Sequence, residues 1–177
     1  MNVAVKRNPI KYYFLKDDGQ FPNSKYPVLL YKDILKLPFF RPSAYVEKIF
    51  KKNNWTNSWR GGIYEFNHYH SNTHEVMGVI KGKTTLLLGG MKGIKVNIKK
   101  GDVLVVPAGV AHQNLHVENK VKCVGAYPNG IEYDIKYGKP EERPQADRNI
   151  KKVSEGKIAD PIFGRLMGTP EYWKSLS

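Results

Sequence analysis

From Trp59 to Tyr127 the apolar residues come in short runs, each closed by a glycine or a small polar cluster. Such runs predict strands over about 61–68, 75–81, 84–89, 93–98, 103–107, 111–118 and 121–127. Glycines at 82, 89, 90, 93, 101 and 109 supply the turns that hairpins need. Short strands at this spacing fit a β-sandwich or a barrel. Upstream, Asp18-Gly19 and Phe21-Pro22-Asn23 are turn signals, so residues 1–27 predict a short strand and a loop, followed by a second strand over VLLYKD, 28–33. The stretch LPFFRPSAYVEKIFKKNNW carries the one helix the pattern supports. Ser43 is its candidate N-cap, Tyr45, Val46, Ile49 and Phe50 share a face, lysines crowd its last turn, and Asn53 and Asn54 stop it.

After Tyr127 the character changes. Residues 128–161 are polar, charged and proline-bearing with little periodicity, which predicts an extended arm over the barrel or a flap near its mouth. Within it Ile131, Tyr133, Ile135 and Tyr137 alternate as a half-buried strand would. The run IFGRLMGTPEYW, 162–173, holds enough apolar side chains to pack back on the rest.

Composition narrows the class. The chain has 177 residues, 41% of them hydrophobic, with 11 Tyr, 7 Phe and 3 Trp, which excludes a disordered chain and suits one domain, 1–177, better than two. No apolar run reaches signal-peptide or membrane-span length, and the lone cysteine, Cys123, sits in an apolar run as a small buried hydrophobe, so a cytoplasmic protein without a membrane partner is expected. The net charge of +13 raises the question of nucleic acid. The lysines are scattered, however, with no dense basic block, no helix-turn-helix pattern and no aromatic-basic signature of an RNA-binding sheet. A Lys-rich solvated surface is therefore expected, with no nucleic-acid partner and a positive potential that favours small anionic molecules.

The candidate chemistry lies in GIYEFNHYHSNTHEVMGVIKG, 62–82. His68 and His70 are two apart, so on a strand both imidazoles project to one face, and Glu75 opens the next apolar run. Two imidazoles and a carboxylate on neighbouring strands are ligand chemistry for a first-row metal. The plainer alternative is two ordinary strand histidines and a turn-capping Glu75. A second stretch, GDVLVVPAGVAHQNLH at 101–116, adds an apolar strand, a Pro-x-Gly turn and His112.

Together the two stretches resemble the paired motifs of the cupin superfamily. Gly62, His68, His70, Glu75 and Gly82 fit the first motif without a gap. Gly101, Pro107, Gly109 and His112 fit the second, with His116 where that pattern usually has Asn. Residues 83–100 suit one connecting hairpin. FLKDDGQFPNS, SWRGGIYEFNHYHSNTHEVMGVIKG, VGAYPNG and KPEERPQAD further resemble a narrower group, the small bacterial YjlB-like cupins, over nearly the whole chain. The resemblance implies an all-β fold, a double-stranded β-helix or jelly roll with one short helix in the N-terminal half and an extended C-terminal arm. It implies a metal site and names no particular reaction.

By motif position the implied ligands are His68, His70, Glu75 and His112. This N/O set suits one divalent transition metal, Fe, Mn, Ni, Cu or Zn, and leaves positions open for water, substrate or dioxygen. His116 lies four residues beyond His112, about 13 Å along a strand at roughly 3.3 Å per residue, too far to share an ion bound at about 2 Å, so it is expected in the pocket wall or on the surface. His74, adjacent to Glu75, is expected to face the opposite side. Tyr64 and Phe66 share the side of His68, Asn114 shares the face of His112, and Arg60 is a candidate for an acidic substrate. The expected function is a metal-dependent enzyme of dioxygenase type acting on a small molecule. A metal-dependent isomerase or lyase and a non-catalytic binding module are the alternatives. Dimers formed through sheet edges are common among cupins, so a homodimer is expected.

Overall fold

The apolar runs at 28–31 and 103–106 show no polar alternation, and the computed structural model, which describes residues 10–174, gives the reason. Both are interior strands of a sheet covered on its two faces. Strands β1 (Ile10–Leu15), β2 (Ser24–Tyr31), β3 (Trp55–Gly61), β4 (Glu75–Lys81), β5 (Lys83–Leu88), β6 (Ile94–Lys99), β7 (Val103–Val106), β8 (His112–Asn114) and β9 (Lys122–Pro128) form two antiparallel sheets. The larger runs β1-β2-β7-β4-β9-β3 and the smaller β6-β5-β8.

Strand parity then sorts the side chains. Val28, Leu30, Met77, Val79, Leu104, Val106 and Cys123 of the larger sheet meet Leu86, Leu88, Val96 and Ile98 of the smaller one in the inter-sheet core. Burial lifts the Cys123 thiol to a pKa of about 12, so it behaves as the expected small hydrophobe. The alternate residues Leu29, Tyr31, Val76, Val103, Val105, Val124 and Ala126 face the other way. There they are covered by Val46 and Phe50 of helix α1 (Pro42–Lys52) and by Ile158, Ile162, Phe163, Tyr172 and Trp173 of the C-terminal segment. The segment 162–173 packs back as its composition predicts. Asp160 anchors it by accepting from the Tyr31 hydroxyl and from the backbone N–H groups of Ile162, Phe163 and Thr169.

Five expectations need correction. Helix α1 starts at Pro42, with Arg41 as N-cap in the left-handed region and Ser43 already inside the first turn. Proline has no N–H to lose at a helix start, so it sets the boundary in place of the serine. The strand expected over 61–68 lies at Trp55–Gly61. It opens after Asn54, turns on a bulge at Asn57, both at positive φ, and yields to irregular chain after Gly61. The arm is not simply extended: it carries helix α2 (Arg143–Ser154) and the short helix α3 (Thr169–Tyr172). The alternation at 131–137 gives no strand, only a single bridge of Lys136 to Tyr69. The strand expected over 111–118 is likewise cut to β8, because residues 117–119 turn into a 3₁₀ helix.

Gly78 sets how closely α1 lies on the sheet. A Cβ there would stand 2.9 Å from Val46 Cγ1 and 3.2 Å from both Leu35 Cδ1 and Phe50 Cζ. Gly78→Val should therefore push α1 off the sheet at a cost of about 1–3 kcal/mol, read by denaturant unfolding. An unchanged midpoint would mean the helix yields freely.

Candidate metal centre

The histidine segment 68–70 docks on β8 as a short extra strand. His68 and His112 exchange backbone hydrogen bonds of 3.3 and 2.9 Å, and Gly109 N–H donates to the His70 carbonyl at 2.8 Å. Side chains from 68, 70 and 112 thus meet at one end of the inter-sheet space, although 61–68 is not the regular strand first expected. Ring centroids lie 4.1 Å apart for His68 and His112, 5.6 Å for His68 and His70, and 5.7 Å for His70 and His112. The ligand atoms of the three histidines all lie within 4.8 Å of one another.

Each ring is oriented the same way. Nδ1 of His68 bonds the Phe66 carbonyl (3.1 Å), Nδ1 of His70 the Asp134 carbonyl (2.5 Å), and Nδ1 of His112 the Val110 carbonyl (3.1 Å). A carbonyl only accepts, so each Nδ1 carries the proton and each Nε2 is left with a lone pair. Glu75, at the start of β4 with Met77 and Val79 on its face, flanks the group. Its Oε2 lies 3.2 Å from Nε2 of both His70 and His112, yet it has no well-aligned hydrogen bond and is fully buried. Its Oε1 accepts from Trp59 Nε1 (3.1 Å) and from the Tyr127 hydroxyl (3.0 Å). The Trp59 indole reaches it by lying over Gly125, its cross-strand partner, where a Cβ would come within 2.0 Å of the ring.

Electrostatics follow from this packing. Burial, aided by the nearness of His112, lowers the His68 pKa to about 3 and keeps the ring neutral. Burial also opposes a charge on His70, but the adjacent Glu75 carboxylate outweighs it and raises that pKa. For Glu75 burial pushes upward, while His70 and His112 hold its carboxyl well below the usual range. The Tyr127 hydroxyl is driven up by burial and by Glu75, so it stays a donor.

The remaining sequence candidates separate. Tyr64 lines the cavity in front of the histidines, and Phe66 stacks on Tyr64 with ring centroids 4.9 Å apart. Asn114 shares the face of His112 but does not line the cavity: its Oδ1 accepts from Thr84 Oγ1 (2.5 Å) and from His116 N–H (3.1 Å). Arg60 borders the cavity, but both oxygens of Glu47 hold its guanidinium at 2.6 and 2.7 Å. His116 is exposed against Glu118. Trp59, Tyr127 and Tyr133 were missed. Trp59 precedes the motif, and Tyr127 shares the inner face of β9 with Cys123, a parity that could have pointed to it. Tyr133 belongs to the alternation at 131–137, which forms no strand and so could not say that its side chain turns toward the histidines.

His74 faces away from Glu75, as expected, but is buried beneath Trp173 with centroids 4.7 Å apart. Its Nδ1 accepts from Ala108 N–H at 2.9 Å.

Against this geometry, comparison with known proteins is informative. The cupin family profile matches residues 55–126. The uncharacterized protein YjlB of Bacillus subtilis (strain 168) is 39% identical over 162 residues, which is 91% of this chain and 94% of that one. The chain belongs to the cupin family. Solved structures similar to it include a DUF861 family protein from Thermotoga maritima (25% identity, 56% of this chain and 96% of that one, TM-score 0.34). The acireductone dioxygenase from Bacillus anthracis is another (14% identity, 62% and 83%, TM-score 0.43). Likenesses this distant say nothing about the chemistry of this cupin. Among its described residues no helix is long and apolar enough to cross a membrane.

Burial lowers the His74 pKa to about 3, against 6.5 for a free ring. Between those values the unfolded chain takes up a proton that the folded one refuses, so stability falls as pH falls, by about 1.4 kcal/mol per unit. His74→Asn keeps an acceptor for Ala108 and removes the titration. In metal-free protein its unfolding free energy should fall less steeply from pH 6.5 to pH 4, by about that amount per unit. Identical slopes in the two proteins would refute the assignment.

Proposed function

We propose that this cupin is a metal-dependent enzyme, an oxidoreductase of dioxygenase type acting on a small molecule, with His68, His70, Glu75 and His112 holding one divalent transition ion. The observation that carries the reading is the common orientation of the three imidazoles. Three backbone carbonyls hold the Nδ1 side of each ring, the Nε2 lone pairs of His70 and His112 lie 3.2 Å from the buried Glu75 Oε2, and the His68 ring stands beside them. Lone pairs gathered in a buried space call for a cation between them. Three neutral imidazoles and a carboxylate suit Fe, Mn, Ni, Cu or Zn. Such an ion would polarise a ligated oxygen as a Lewis acid or, if redox-active, pass electrons.

The chain's own residues supply the rest. Trp59 and Tyr127 occupy Oε1, so only Oε2 is free to turn inward. The Phe66, Asp134 and Val110 carbonyls fix the tautomer of each histidine. Tyr64, Tyr133 and Met77 limit the water that reaches the site. We propose a homodimer as its assembly, supported by the edge strand β1, on which Tyr12 and Phe14 are exposed.

Protein purified without chelator should carry close to one transition metal per chain by elemental analysis. His112→Ala should lose it while keeping the wild-type circular dichroism. A wild type that neither carries metal nor gains it on anaerobic reconstitution would defeat the ligand assignment. Iron together with substrate-dependent oxygen uptake supports the dioxygenase; activity with zinc, nickel or manganese that ignores oxygen would instead favour an isomerase or lyase.

Tyr127→Phe removes one donor to Glu75 Oε1 with little change of shape. Metal affinity, read by competition with a chelating dye, should weaken roughly 10–100-fold. Unchanged affinity would show that the Tyr127 bond does not set the carboxylate.

A further inference from the structure

We propose that the ligand of this cavity is an uncharged, planar, ring-hydroxylated molecule of a single ring, gripped between aromatic side chains, and not a small anion. The proposal deepens the metal-site reading and rests on it for the end of the ligand that meets the histidines. The opposite walls carry the argument for its class.

Size comes first. The cavity measures about 260 Å³, just under the roughly 300–1,000 Å³ of drug-sized pockets, and at about 30 Å³ per water in the liquid it holds on the order of nine waters, or one substituted ring. Charge comes next. Among the described residues the only Lys or Arg in the lining is Arg60, and Glu47 engages it with both carboxylate oxygens. Glu75 is committed to the histidines. Away from the proposed ion, a desolvated anion would find no unpaired cationic side chain among the described residues of these walls. The net charge of +13 cannot replace one, because exposed lysines act through solvent and are screened beyond about 8–10 Å.

Shape selects a flat ligand. Two stacked aromatic pairs flank the histidines from different segments. Tyr133 stacks on Tyr127 (4.8 Å, 26°) and presents itself at an angle to His70 (4.9 Å, 67°). Tyr64 stacks on Phe66 (4.9 Å, 19°) and stands edge-on to His68 (5.2 Å, 79°). Phe66 in turn reaches Tyr137, with centroids 5.8 Å apart. Tyr64, which lines the cavity, remains 48% exposed, so ring surface lies open to a planar partner. Among the described residues the hydroxyls of Tyr64 and Tyr133 bond to no protein group, which leaves them for the hydroxyls of a ligand.

The test is calorimetric titration of resorcinol and, separately, oxalate into zinc-loaded and chelator-treated protein. Resorcinol is uncharged and cannot chelate through adjacent oxygens; oxalate is a small dianion. Oxalate can ligate the zinc itself, so the walls are compared in chelator-treated protein, where resorcinol should bind more tightly than oxalate. Its affinity should fall fivefold or more in both Tyr64→Leu and Tyr133→Leu, whose zinc content and circular dichroism stay at wild-type values. Tighter oxalate binding to the chelator-treated protein, especially if it drops in Arg60→Gln, overturns the proposal. So does resorcinol affinity untouched by either leucine variant. The two readings fail separately. Tyrosine-dependent resorcinol binding to a chain that takes up no metal leaves the ligand class standing and sinks the metal site. Full zinc loading without resorcinol binding does the reverse.

Discussion

Lone pairs that face one another in a buried space are costly unless something positive stands between them. At one end of this sandwich Glu75 Oε2 and the Nε2 atoms of His70 and His112 are held in that relation with the His68 ring beside them, and much of the surrounding fold serves to keep it. Gly125 leaves room for the Trp59 indole, which with Tyr127 takes up Oε1. The bridge between residues 68 and 112 sets two of the rings side by side. The Glu75 carboxylate raises the His70 pKa, as a buried anion does to an imidazole set against it. In the proposed reading a divalent ion would meet the demand for positive charge more fully, reaching all four side chains where one proton reaches two.

The histidines were legible in the sequence because motif spacing encodes geometry that survives errors in secondary structure. His68 and His70 share a side through an isolated bridge and not through a strand over 61–68, yet the two-residue period holds for any extended backbone. The interior strands were legible too, since doubly covered strands such as β7 must be apolar at every position. Helix α2 was not. It buries only Ala146 fully and packs Ile150 against Phe21, Tyr69 and Ala111, too little apolar surface to leave a stripe. Its start is marked instead by Glu142, whose carboxylate accepts from the N–H groups of Tyr137, Gly138 and Lys139, a contact that depends on a fold in the chain. Asn114 and Arg60 illustrate a different limit. Strand parity places a residue on a face, but it cannot say that Thr84 or Glu47 stands nearer than the ligand.

The positive charge shows the difference between a global and a local quantity. A count of lysines sums over the whole surface, whereas selectivity is decided by the few groups that lose water on binding. Around this cavity those groups are the three histidines and Glu75 at one end, and tyrosines, a tryptophan, an isoleucine, a methionine and one arginine already paired on the walls. Net charge is thus an argument about the approach of a ligand, not about its residence.

The C-terminal arm belongs to the site as much as the barrel does. Asp134 fixes His70 through its carbonyl, and its side chain accepts from Ser71 N–H and Ser71 Oγ at 2.6 and 2.5 Å. Asn72 bonds the same strap at Glu132 and Asp134, and Asn149 of α2 donates to Ser71 Oγ. A barrel without the strap would retain His70 in sequence but lose the carbonyl that decides which nitrogen faces inward. Tyr133 would leave with it, and so would the stacked pair it forms with Tyr127. The arm therefore contributes both to the tautomer of one proposed ligand and to a wall of the cavity, which ties the ordering of the metal end to that of the aromatic end through a single stretch of backbone.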